Sequence, residues 1–197
     1  MIVHIVHNEE LREVILQELD PLISPFTSNE FTEVAFAAQL QDCSTFMAVY
    51  HEALRLSSSS MTLRYVLEDT TIRGLKIKKG GRVIIPYRQV MLDESVYGCS
   101  SHRFIHDRFL EAPELLNGLH FKPFGGGVTL CPGRAVAQKE ILTFVALALG
   151  KFRVRLPQGE PKIAHCMPKM NTQTPCLGIM GPETNEDVLV SVCKPQW

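Results

Sequence analysis

FGGGVTLCPGR, residues 124–134, sets three consecutive glycines ahead of one cysteine, Cys131, and follows it with Pro132, Gly133 and Arg134. Glycine loses more backbone freedom on folding than any other residue, so this density of it marks positive φ or a close approach of backbone to another group. The next stretch, Pro132 to Leu149, is rich in Ala, Ile, Leu, Val and Phe. It reads as one long helix with proline in its first turn and Gly150 just past its end. Cys131 is thereby placed at a helix N-terminus, where backbone N–H groups and the dipole favour thiolate, the form that attacks electrophiles or binds metal.

A catalytic thiolate needs a base, and no histidine lies nearby in sequence; His120 could approach only through tertiary folding. A zinc site needs companion ligands, yet Cys43, Cys99, Cys131, Cys166, Cys176 and Cys193 form no C-x-x-C pair. What remains is a metal that asks the protein for a single ligand, and haem iron is of that kind. A buried structural cysteine beside a glycine turn is the alternative that these residues alone leave open.

The wider run PFGGGVTLCPGRAVAQKE, with Phe124, Gly127, Cys131 and Gly133 at F-x-x-G-x-x-x-C-x-G spacing and Pro123, Pro132, Arg134, Ala137 and Glu140 around them, resembles the haem-binding loop of the cytochrome P450 family of haem-thiolate monooxygenases. The resemblance implies that Cys131 is the axial thiolate of haem b, that Gly127 and Gly133 let N–H groups face its sulfur, and that Phe124 packs beside it. Such contacts tune ligand basicity and iron potential, and a thiolate ligand favours O–O cleavage.

In DCSTFMAVYHEALRL, residues 42–56, Phe46, Met47, Val49, Tyr50, Ala53, Leu54 and Leu56 predict an apolar helix with Asp42 as N-cap. Glu52 and Arg55 share one face of it. Alone, such a pair is usually solvated and worth about 0–1 kcal/mol. Ahead of this cysteine loop it is similar to the family's buried Glu–Arg pair, whose third partner comes from F-x-P-x-R-F. FIHDRF, Phe104–Phe109, supplies Arg108 there, with His106 in place of the proline. That change predicts a looser turn with the triad kept. His102 and His106, at i, i+4, could hold a metal on a helix, but no third ligand is evident and a loop with two ordinary histidines is the favoured reading.

Between the motifs, Ile72, Leu75, Ile77, Val83 and Ile85 predict two short strands around a Lys79-Gly80-Gly81 hairpin, with Ser57 to Val66 leading in. Arg64 falls where the family carries an arginine for a haem propionate, though a surface arginine on an edge strand fits these residues equally. LRLSSSSMTLR looks like the branch containing sterol hydroxylases and prostacyclin synthase. FRVRL, residues 152–156, and DVLVSV, residues 187–192, read as strands, and Thr172 to Ile179 is similar to the turn closing the family's substrate pocket.

The 197 residues carry a net charge of −1 and 45% hydrophobic side chains, enough for one core and without the charge asymmetry of a nucleic-acid binder. Scattered cysteines suggest a reducing compartment. The longest strongly apolar run, Ile141 to Leu149, is far short of the ~20 residues a membrane helix needs, and no signal peptide opens the chain.

The resemblance spans essentially the whole chain, yet family members are more than twice as long, and IVHNEELREVILQEL looks like the helix after their central one. No A-G-x-[DE]-T element of that central helix occurs. The expectation is a C-terminal fragment, residues 1–197 as a partial domain: mainly α with small mixed β-sheets, about three helices (the family's K and L helices among them), several short strands and the haem-binding loop. The apolar faces around Val49 and Phe144 would be bared, and haem binding by the isolated chain would be substoichiometric.

By resemblance the function is haem-thiolate monooxygenation of a small lipophilic, sterol- or terpenoid-like substrate. It would use O2 and NADPH-derived electrons from a flavoprotein reductase docking on Lys122, Arg134, Lys139 and Lys151, in an endoplasmic reticulum membrane for the full-length protein. A non-catalytic truncated paralogue and a haem-thiolate isomerase of oxygenated lipids are the other readings. Phosphate binding by the glycines is disfavoured, since neither G-x-G-x-x-G nor G-x-x-x-x-G-K-[ST] occurs.

Overall fold

The computed structural model describes residues 1–28, 32–155, 168–174, 176, 178–183 and 190–193. In chain order its helices are α1 (Ile2–His7), α2 (Glu9–Thr27), α3 (Glu33–Gln39), α4 (Ser44–Ser57), α5 (Tyr87–Met91), α6 (Glu94–Tyr97), α7 (Arg108–Glu111), α8 (Glu114–Asn117) and α9 (Arg134–Lys151). Three of these are long and make the core. In α2, Leu11, Ile15, Leu19 and Ile23 recur at every fourth position, which stacks them on one stripe, and all four are buried. Phe46, Val49, Tyr50 and Leu54 of α4 and Leu142, Val145, Ala146 and Leu149 of α9 close on that stripe, with Phe36 and Leu40 filling the side.

Helix ends depart from the sequence pattern for identifiable reasons. The IVHNEELREVILQEL segment breaks at Asn8, which is extended and whose Oδ1 accepts from Leu11 N at 3.0 Å, capping α2. Asp42 does not cap α4; it lies in a 3-10 turn, Leu40–Asp42. The carboxylate of Glu18, on α2, does that work across space: Oε1 accepts from Thr45 N at 2.9 Å and Oε2 from Phe46 N at 3.0 Å. Helix α9 starts at Arg134, two residues later than expected, and runs through Gly150. A Cβ at Gly150 would overlap Ile23 Cδ1, so this glycine permits α2 and α9 to cross closely and is not a stop signal.

Strands β1 (Met61–Tyr65) and β4 (Arg82–Pro86) pair antiparallel with Leu63 opposite Ile84 and Arg64 opposite Val83. Strands β2 (Thr70–Ile72) and β3 (Leu75–Ile77) form their own hairpin, closed by Arg73 at φ 46° and Gly74 at φ 83°. The expected hairpin at Lys79-Gly80-Gly81 is therefore corrected: that turn carries the chain from one sheet to the other. β5 (Arg153–Arg155) pairs antiparallel with β6 (Ser191–Cys193). Leu156 of FRVRL, residues 187–189 of DVLVSV, Pro175, Leu177 and Cys166 lie outside the described residues. The fold is thus mainly α with small sheets. Val49 is fully buried, against the expectation of a bared face, whereas Phe144 is 67% exposed. Among the described residues no helix is long and apolar enough to cross a membrane.

Candidate functional site

The cysteine loop owes its shape to two glycines. Gly125 (φ 78°) and Gly127 (φ 63°) occupy the left-handed region, and nothing lies within 4 Å of a Cβ built on Gly127, so conformation and not crowding requires glycine there. The loop is pinned at its base, where Cys131 N donates to Phe124 O at 3.1 Å, and at its far end, where Arg134 Nη1 donates to Cys131 O at 3.1 Å. Cys131 is half-buried, and among the described residues no side chain hydrogen bonds its sulfur. Val128, at the crest, is 98% exposed. A Cβ on Gly133 would stand 3.8 Å from the Cys131 sulfur, an ordinary contact.

Arg64 reaches this loop from β1. Its Nη2 donates to Thr129 Oγ1 at 2.7 Å and its Nη1 to Leu63 O at 3.1 Å. Ser58, fully buried, donates its Oγ to Pro123 O at 2.8 Å, and Ser60 Oγ donates to the same carbonyl at 3.3 Å, so the serine run fixes the residue before Phe124. The run also receives the C-terminal turn: Ser59 N donates to Gly178 O at 2.8 Å and Met180 N to Ser57 O at 2.9 Å. A pocket of about 280 Å³ lies between them, lined by Ser59, Ser60, Met61, Thr172 and Thr174 among others.

Glu52, Arg55 and Arg108 come together out of solvent. Glu52 and Arg55 are 0% exposed and Arg108 9%. Glu52 Oε2 accepts from Arg55 Nε at 2.8 Å, while Oε1 accepts from Arg55 Nη2 at 2.8 Å, Arg108 Nε at 3.1 Å and Ile105 N at 3.1 Å. The remaining Arg55 donors go to the carbonyls of Met91, Ser101 and Arg103, and those of Arg108 to Tyr97 O, Ser100 and Arg103 O. The Tyr97 ring lies 4.8 Å from Arg55 Cζ and 5.8 Å from Arg108 Cζ. Burial pushes the Tyr97 phenol pKa up, and burial together with the Arg55 charge pulls the neighbouring Arg88 down.

Sequence reasoning missed Tyr97, Thr129 and Arg88. Only Thr129 carried a signal, a hydroxyl inside the quoted loop. His102 and His106 lie in a segment of turns, bends and loop, residues 98–107, in keeping with their reading as loop histidines and not with a metal pair on a helix; among the described residues no three His, Cys, Asp or Glu side chains gather as a metal site. The basic face is also corrected. At about 100° per residue, Arg134, Lys139 and Lys151 point in three directions around α9. Lys122 and Arg134 alone converge, on one pocket.

Against known proteins, residues 1–178 match the profile of the family described as Cytochrome P450. The chain is 33% identical over 159 residues to cholesterol 7-alpha-monooxygenase of Cricetulus griseus, covering 73% of this chain and 30% of that protein. It is 31% identical over 149 residues to cytochrome P450 monooxygenase nodJ of Hypoxylon pulicicidum, covering 71% and 28%. With the steroid 17-alpha-hydroxylase/17,20 lyase of Rana dybowskii it shares 28% over 173 residues, covering 81% and 30%. The matched part thus spans under a third of each of these relatives. The profile match over most of the chain, on the same residues that build the Cys131 loop and the Glu52–Arg55–Arg108 cluster, establishes that the chain belongs to the cytochrome P450 family.

Proposed function

We propose that this chain supplies the thiolate side of a haem-thiolate monooxygenase acting on a lipophilic, sterol- or terpenoid-like substrate. The observation that carries this is the donor set at Cys131: one partly exposed sulfur on a glycine-shaped loop, with no group of three or more His, Cys, Asp or Glu side chains gathered as a metal site among the described residues. A metal that arrives in its own macrocycle fits that set, and a zinc-type ion does not. Gly127 leaves the space above its backbone free, Val128 offers apolar contact, and Arg64 presents a guanidinium suited to a carboxylate. When bound, haem b supplies the oxygen chemistry, with electrons from NADPH through a flavoprotein reductase.

The protein's own part is to bind, orient and hold charge. Cys131 would hold the iron as thiolate, Gly125 and Gly127 give the loop the left-handed turns that present it, Gly133 leaves open the space beside the sulfur, and Phe124 anchors the base of the loop through its carbonyl. Arg64, whose guanidinium donates to Thr129, would hold a haem carboxylate there. The Glu52–Arg55–Arg108 cluster holds the segment after Met91 against α4 and so fixes the approach to the loop. The substrate class is supported by relatives named as cholesterol and steroid enzymes. For the whole protein, an endoplasmic reticulum membrane is the proposed location.

The test is spectroscopic. A whole protein carrying this chain should give a red-shifted Soret band in the ferrous–CO form, and Cys131→Ser should abolish it. Arg64→Ala should keep the band position but lower haem retention. A Cys131→Ser protein with an unchanged band would remove Cys131 as ligand and sink the proposal.

A further inference from the structure

Behind the cysteine loop lies a second pocket, of about 320 Å³, in the range that small-molecule sites occupy. Its walls come from α4, from the 121–125 segment and from the first turns of α9. Leu54, Phe121, Leu130 and Ala135 make it apolar, and Lys122 and Arg134 are its cations; among the described residues no carboxylate lines it. Both cations keep spare donors, because Lys122 Nζ is occupied only by Gly118 O and Arg134 Nη1 by Cys131 O. His51, also on the wall, adds no charge at neutral pH, since burial pulls its pKa down to about 4. Tyr50, 3% exposed, lines the pocket too.

We propose that this pocket binds a lipophilic carboxylate, its head held by Lys122 and Arg134 and its chain laid on Leu54, Phe121 and Leu130. The charge on the described lining is of one sign although the chain as a whole carries a net charge of −1, so the pocket selects anions against the molecule's average. The head would sit on Arg134, whose other end donates to the Cys131 carbonyl, so occupancy would stiffen the loop that presents the thiol.

Decanoate is the probe, titrated calorimetrically into the full chain, with decanol and decyltrimethylammonium as comparisons. Saturable one-to-one binding of decanoate is expected, at least tenfold weaker for decanol and lost for the cation. Lys122→Gln and Arg134→Gln should each weaken decanoate roughly tenfold. Ala135→Trp, at an exposed position, should fill the pocket and abolish binding, whereas Phe144→Ser, on the exposed patch elsewhere on α9, should leave it unchanged. In parallel, decanoate should slow alkylation of Cys131 several-fold and leave exposed Cys99 unaffected. Equal binding of decanoate and decanol, or loss of binding in Phe144→Ser with retention in Ala135→Trp, would overturn the proposal in favour of adsorption to apolar surface. Binding only of acidic peptides would overturn it in favour of a protein partner. None of these probes contains haem, so the outcome is independent of the reading of Cys131 as iron ligand.

Discussion

The Glu52–Arg55–Arg108 cluster and the Cys131 loop carry the two family motifs, and they are built on opposite plans. In the cluster each guanidinium N–H of Arg55 has a named acceptor, the carboxylate is surrounded by donors, and water is excluded. In the loop the sulfur has no partner among the described residues, the crest is almost wholly exposed, and the shape rests on two left-handed glycines, a few backbone bonds and single contacts from Arg64 and Arg134. A saturated network of charges fixes geometry more than it adds net stability, because desolvation offsets much of the attraction. An open loop does the reverse: it contributes little to the fold and keeps its bonding capacity for something else. The motif that holds the structure and the motif that leaves a thiol open can therefore be separated by mutation.

The largest effect should come from Glu52→Ala, which strands two guanidinium charges away from water at a cost of about 3–5 kcal/mol. Against a total stability on the order of 5–15 kcal/mol, the urea midpoint should fall sharply or cooperative unfolding should disappear; a wild-type midpoint would mean the cluster is not buried in solution. Next comes pH. Burial holds His51, the residue before Glu52, at a pKa of about 4, below the ordinary value of 6.5. The unfolded chain therefore takes up the proton first, and this contribution is present above about pH 6.5 and lost as pH falls toward 4, at about 1.4 kcal/mol per unit. His51→Phe should flatten the melting temperature across that window. Burial likewise holds His4 at about 3, with the N-terminal charge adding to it, so a residual slope should remain. The smallest effect is expected from Cys131→Ser, within about 0.5 kcal/mol of wild type in the same urea titration. A loss comparable to that of Glu52→Ala would erase the contrast between the two regions.

How far the sequence alone reaches follows the same division. The Cys131 loop is legible because its spacing is local and chemically unusual, and the Glu52–Arg55 pair, ordinary by itself, is legible because it stands ahead of that loop. Arg108 is legible only through the FIHDRF segment, and the proline-to-histidine change at His106 has not kept its side chain from Glu52. What could not be read is whatever depends on a partner distant in sequence. Asp42 had the right residue type for a cap, yet Glu18 reaches the same amides from another helix. Lys79-Gly80-Gly81 had hairpin chemistry, but a tight turn does not say which strand the next one will pair with, and β4 joined β1. Gly150 matched the signature of a helix end because a glycine needed for close packing and one needed for termination look the same in one dimension.

That glycine has a mechanical consequence for the site at the other end of its helix. With Ile23 filling the space where a side chain would stand, the crossing of α2 and α9 acts as a pivot with less clearance than one methyl group. From Gly150 back to Arg134 the helix is a rod of about 24 Å, at about 1.5 Å per residue. On such an arm, about 2.5° of play at the pivot becomes roughly 1 Å of travel where the cysteine loop begins. The aim of Cys131 is thus set far from Cys131, and a Gly150→Ala substitution should register there, as an altered alkylation rate of a thiol whose own surroundings are untouched.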